Sequence, residues 1–194
     1  MSDVAKTAKR PATYEDLLEV PDHLVAEIIE GELHTAPRPA SPHAHASSMI
    51  GGRIIVAFGG GGGDPGGWWI LDEPELHLGP DVLVPDIAGW RRERMPLLLN
   101  TPAFTLAPDW VCEVISPHTG RIDRMKKLPI YAREEISYAW IVDPIVQTIE
   151  VYRLDSGRWS LLGTFGGDDT VRIEPFETIE IPLSTLWLPE APPA

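Results

Sequence analysis

The chain is 194 residues long, one domain's worth, and its 43% hydrophobic and 23% charged composition is that of a folded protein, not of a disordered or coiled-coil chain. A formal charge of −13 disfavours generic binding to phosphate backbones, and no apolar run approaches the roughly 20 residues of a membrane span. The single cysteine, Cys112, excludes an intramolecular disulfide and an all-cysteine metal site, and no secretory signal is visible, so a cytoplasmic protein is expected.

Residues 1–12 are expected to be a flexible arm, residues 13–188 one domain, and residues 189–194 a proline-rich tail. Thr13 and Asp16 have the spacing of a capping box, which predicts a helix from Thr13 to Val20, stopped by Pro21. Two short strands, Ala26 to Glu30 and Glu32 to Thr35, flank Gly31. Ser41-Pro42 reads as an N-cap followed by proline in the first turn of a helix that runs to about Phe58. The glycine run that follows lacks the Gly-Lys-Ser/Thr of a phosphate loop and reads as a flexible connection. Val82 to Trp90 reads as a strand interrupted by Pro85, which implies an edge, a bulge or a strand end. Trp110 to Ile115 and Tyr138 to Val142 suit buried strands, with a helix from Arg121 to Arg133 between them. Thr148 to Leu154 and Arg158 to Thr164, joined by Asp155-Ser156-Gly157, form a C-terminal hairpin. The fold class is α/β (α+β), a central mixed β-sheet flanked by helices.

Two carboxylates stand where an apolar strand should not carry them. Glu113 lies among Cys112, Val114 and Ile115, and Asp86 lies on the strand interrupted by Pro85. Burying either as an ion costs several kcal/mol without a metal, a cation or hydrogen bonds. If the two strands are neighbours, both acids can converge on one divalent cation, and oxygen-only ligation suits Mg²⁺ or Mn²⁺. Glu27 is a candidate third carboxylate. Arg91, Arg92 and Arg94, then Arg121, Arg124, Lys126 and Lys127, make two short basic stretches within the acidic whole. Cys112 points away from Glu113 and reads as core. Trp110 and Trp140 read as core, whereas Trp68 and Trp187 are candidates for an exposed dimer surface. His43, His45 and His118 read as structural or peripheral.

The segments Glu27-Ile-Ile-Glu-Gly-Glu-Leu33, Pro85-Asp86, Trp110-Val-Cys-Glu113-Val-Ile-Ser116-Pro117, Asp123-Arg-Met-Lys-Lys127-Leu-Pro-Ile-Tyr131-Ala132 and Tyr138-Ala-Trp140-Ile-Val-Asp143-Pro144 occur in this order. Together they resemble the Pro-Asp…(Asp/Glu)-X-Lys nuclease superfamily, and within it the bacterial restriction-endonuclease-like family called Uma-two. The resemblance implies a restriction-endonuclease-like core in which Asp86 and Glu113 bind the metal, Glu27 assists and a lysine organises the attacking water. In the superfamily that lysine stands two residues after the second acid, where this chain has Ile115. The family resembled takes it from the next helix, which carries over to Lys127. Asp123, Lys127 and Tyr131, four apart, share one helix face, while Lys126 points about 100° away. Pro129 implies that the helix starts or kinks nearby.

The expectation is therefore an Mg²⁺- or Mn²⁺-dependent endonuclease acting on DNA. Asp86, Glu113, Lys127 and Glu27 would be catalytic, and Arg121, Arg124 and Lys126 would meet the nucleic acid. The resemblance also implies a homodimer. The alternative is a catalytically inactive nuclease-like module used for protein binding or regulation.

Overall fold

In the computed structural model of the chain, residues 10–60, 67–117 and 119–189 are described. The expected arm before residue 10, most of the glycine run, His118 and the end of the proline-rich tail lie outside them. Thr13 caps α1 (Tyr14–Leu18), and its backbone N–H donates to Asp16 at 2.8 Å in the predicted capping box. Strands β1 (Leu24–Ile29) and β2 (Glu32–Pro37) pair antiparallel around Glu30 and Gly31. Their φ values of 54° and 77° belong to the left-handed region that a tight hairpin turn requires. α2 (Ser41–Phe58) begins one residue earlier than the Ser41 cap implies: extended Ala40 is the cap and Ser41 is already helical.

Next come β3 (Trp68–Asp72), β4 (Glu75–Leu78), β5 (Asp81–Leu83) and β6 (Ile87–Arg91). β7 (Ala103–Phe104) and β8 (Trp110–Val114) lead into the helical region. There α3 (Gly120–Ile122), a π-helical turn (Asp123–Lys127) and α4 (Leu128–Arg133) follow without interruption. β9 (Tyr138–Asp143), the hairpin β10 (Thr148–Asp155) and β11 (Arg158–Gly166), and the short ribbon of β12 (Thr170–Val171) and β13 (Ile181–Pro182) complete the chain.

The main sheet is mixed, in the order β11-β10-β9-β8-β6-β3, with β8 and β9 parallel and the other pairs antiparallel. A second sheet, β2-β1-β5-β4-β7, separates from it. The predicted strand from Val82 to Trp90 is in fact shared between the two: the chain leaves the second sheet at Leu83, turns through Val84-Pro85-Asp86, and enters the main sheet at Ile87. Proline cannot donate to a ladder, so Pro85 falls at the one place where neither sheet needs its hydrogen bond.

Both faces of β8 are buried. Trp110, Cys112 and Val114 pack with α2, Trp140 and Phe176 on one side; Val111 and Ile115 pack with Trp90, Tyr131 and Ile141 on the other. Burial of each large apolar side chain contributes about 1.5–3 kcal/mol. Trp68 and Trp187 are 4% and 7% exposed, which removes both as surface markers; their rings fill the core beneath α2. No helix among the described residues is long and apolar enough to cross a membrane.

Candidate active site

Side chains alternate along a strand, so parity decides which acids can meet. Glu113 shares its face of β8 with Val111 and Ile115, and Asp86 shares its face with Ala88 and Trp90; all four apolar residues belong to the same core. Glu27 is two residues from Ile29, a member of that core as well. Ile87 pairs with Cys112 in the antiparallel ladder, so Asp86, one residue before the ladder, stands opposite Glu113. The acids from β1, the β5–β6 crossing and β8 therefore project to one side, into a cavity of about 690 Å³ that Glu27, Asp86, Glu113, Asp123, Lys127 and His43 all line.

The helical region supplies the opposing charge. Lys127 Nζ lies 2.9 Å from Glu27 Oε1, 3.1 Å from Glu113 Oε1 and 3.5 Å from Asp123 Oδ1, with the lysine side chain 4% exposed. The Tyr131 hydroxyl donates to Glu113 Oε1. Pro129 comes at the start of α4, where a proline excludes the carbonyl four residues back, and the chain opens there into the π turn. The turn widens the helix and still leaves Asp123, Lys127 and Tyr131 on the cavity side, with all three buried. Lys126 points outward, as its position in the helix predicts, and pairs with Glu32 at 2.8 Å. Ile115, in the superfamily's usual lysine position, is core.

The remaining acids are held from the backbone. Val84 N–H donates to Glu27 Oε1 at 2.8 Å, and Val114 N–H donates to Asp86 Oδ2 at 2.7 Å. His43 Nε2 approaches Asp86 Oδ1 at 3.2 Å. Spacing along the chain gives no sign of this contact, since only the way α2 lies over the sheet brings the two together. Arg124 pairs with Glu150 at 3.0 Å, and Arg121 is exposed.

Burial pushes the Glu113 carboxyl well above the usual range; the Lys127 ammonium opposes this, and Asp123, Asp86 and Glu27 add to it. Burial likewise raises Asp123 against the pull of Lys127. Burial would lower Lys127, but Glu113, Glu27, Tyr131 and Asp123 outweigh it and hold the amine protonated. For His43 the same contest between burial, which lowers, and Asp86, Asp123 and Glu73, which raise, ends upward.

Four carboxylates, Glu27, Asp86, Glu113 and Asp123, thus face the cavity against the basic groups of Lys127, His43 and His34. Glu73, which also lines it, is matched by Arg38 at 2.9 Å. Excess negative charge carried on hard oxygen donors fits a divalent cation such as Mg²⁺ or Mn²⁺. No three His, Cys, Asp or Glu side chains among the described residues form a ready-made cation cage; the Lys127 ammonium stands among the acids instead.

The fold has a solved counterpart. A crystal structure described as "a putative nuclease belonging to DUF820", from Anabaena variabilis, superimposes with a TM-score of 0.73 at 24% identity, covering 91% of this chain and 97% of that one. No curated protein matches the sequence. The model of the Uma2 family, described as "Putative restriction endonuclease", matches residues 11–184, and the chain belongs to that family.

Proposed function

We propose that the cavity is a divalent-metal-dependent phosphodiesterase centre that hydrolyses DNA. The observation that carries this reading is the meeting of Glu27 from β1 and Glu113 from β8 at the amine of Lys127, with Asp86 from the β5–β6 crossing lining the same cavity. Asp86 and Glu113 would hold the cation, with Glu27 assisting. When bound, it neutralises charge on the scissile phosphate and lowers the pKa of a water.

The chain's own groups do the rest. Lys127 Nζ, fixed between Glu27 and Glu113, donates to the attacking water or to a phosphate oxygen and offsets the charge that builds during attack. The Tyr131 hydroxyl and the Val114 N–H hold Glu113 and Asp86 in place, so neither carboxylate has to be ordered during the reaction. Arg121, Arg124 and Lys126 would meet the DNA backbone; Arg124 and Lys126 would exchange Glu150 and Glu32 for phosphate. A cytoplasmic homodimer completes the reading.

Incubating supercoiled plasmid with Mg²⁺ or Mn²⁺ tests it. The wild type is expected to nick, and Asp86→Ala is expected to lose nicking; equal nicking by both would refute the assignment. One observation favours a second reading, a catalytically inactive module: Lys127 and Tyr131 already occupy the Glu113 carboxylate. Calorimetry separates the two, because an inactive module gives no Mn²⁺ heat, whereas a metal centre gives heat that disappears in Glu113→Ala.

A further inference from the structure

His43 plays no part in the reading above, yet it lies against the centre. It is the third residue of α2, it lines the same cavity as Asp86 and Glu113, and its side chain is 12% exposed. Asp86 Oδ2 is fixed by the Val114 N–H, so Oδ1 is the oxygen turned toward the ring, 3.2 Å from His43 Nε2. Donors bound side by side to one cation at about 2.1 Å stand about 3.0 Å apart in octahedral geometry and about 3.4 Å apart in tetrahedral geometry. The observed separation falls between those values.

The far nitrogen of the ring, Nδ1, is buried and has no hydrogen-bond partner among the described residues. No contact there fixes the tautomer, so Nε2 is free to offer Asp86 a proton or a cation its lone pair. His45 is turned elsewhere, with Nε2 3.2 Å from the Thr185 carbonyl.

From this geometry we infer that His43 Nε2 is a ligand, beside Asp86 Oδ1, of the divalent cation taken by this cavity, and that the nitrogen donor makes the centre prefer Mn²⁺ to Mg²⁺. The inference rests on the metal centre proposed above and adds its third ligand. Carboxylates and water serve Mg²⁺ and Mn²⁺ alike, whereas imidazole is a good ligand for transition metals and a poor one for Mg²⁺.

The test titrates Mn²⁺ into the full chain by electron paramagnetic resonance and records ¹⁴N modulation of the bound ion. The wild type is expected to bind Mn²⁺ with the signature of one coordinated imidazole. His43→Gln is expected to lose that signature and to weaken Mn²⁺ binding at least about tenfold, with a much smaller effect on competition by Mg²⁺. His77→Gln, remote on β4, should keep the signature, and circular dichroism should show both variants folded. Binding that disappears in Asp86→Ala but shows no ¹⁴N coupling in the wild type would overturn the role of His43 and leave the metal centre standing. Absence of Mn²⁺ binding, or binding indifferent to Asp86→Ala, would overturn the centre itself.

Discussion

A carboxylate alone inside a buried strand would cost several kcal/mol, and for Glu113 Lys127 on one side and Tyr131 on the other offset part of that cost. The arrangement is reciprocal, because the lysine is as buried as the acids it serves. Lys127→Met would leave Glu27, Glu113 and Asp123 facing one another without a cation. The expected result is a loss of about 3 kcal/mol at neutral pH, read from urea unfolding, together with loss of nicking. An unchanged unfolding midpoint would show that the acids do not depend on the amine. The sequence exposes this cluster in part: the four-residue spacing of Asp123, Lys127 and Tyr131 predicts a common face, and the structure has one. It gives no hint of His43 beside Asp86, a contact between residues on α2 and in the β5–β6 crossing.

Among the elements that position the site, β6 has little tolerance for added bulk. Gly89 lies at its middle, and a methyl group there would meet Ile70 Cδ1 at 2.9 Å and the Trp68 and Trp110 rings at 3.2 Å. The isoleucine tip can shift, but the two indoles are fully packed. Gly89→Ala is therefore expected to destabilise by about 1–3 kcal/mol through overpacking, seen as a lower melting temperature. Because β6 carries Asp86 at its head, nicking should fall by more than the unfolded fraction explains. The helical region teaches a different lesson. Pro129 warns of a break near Lys127, and the chain answers with a π turn, not a helix start, so the three residues stay on one side. Sequence locates such a disturbance, but the choice between kink, break and extra residue depends on what the helix packs against.

On the scale of the whole molecule, all four tyrosines are held in their neutral form. Burial and Glu150 push Tyr152 up to about 12, and burial and Glu113 raise Tyr131 well above the ordinary phenol value. Burial also raises Tyr138, and the hydrogen bond to Glu75 raises Tyr14. A raised folded-state pKa means stability that is complete below the unfolded tyrosine value of about 10 and is lost as pH climbs through the folded value. Ultraviolet titration should therefore show less phenolate at pH 10 in the folded protein than in the urea-unfolded chain. Urea stability should hold up to that pH and decline toward pH 12. Ordinary tyrosine titration near 10 would contradict the packing described.

Sequence alone determined α1, β1, β2, α2, β8, β9 and the β10–β11 hairpin, because a capping box, turn residues and apolar runs act within a few residues of chain, whereas β3, β4, β7 and the split of residues 82–90 into β5 and β6 were not legible. The misplaced charges at Asp86, Glu113 and Glu27 were legible for the same reason, each being unfavourable in its own local setting. Only the tertiary structure divided the strands into two sheets, set three carboxylates on one face, and placed Lys127 and His43 among them. Those contacts join residues up to about a hundred positions apart, as Glu27 and Lys127 are, and such pairings are decided by how whole faces pack, not by any property of the intervening chain.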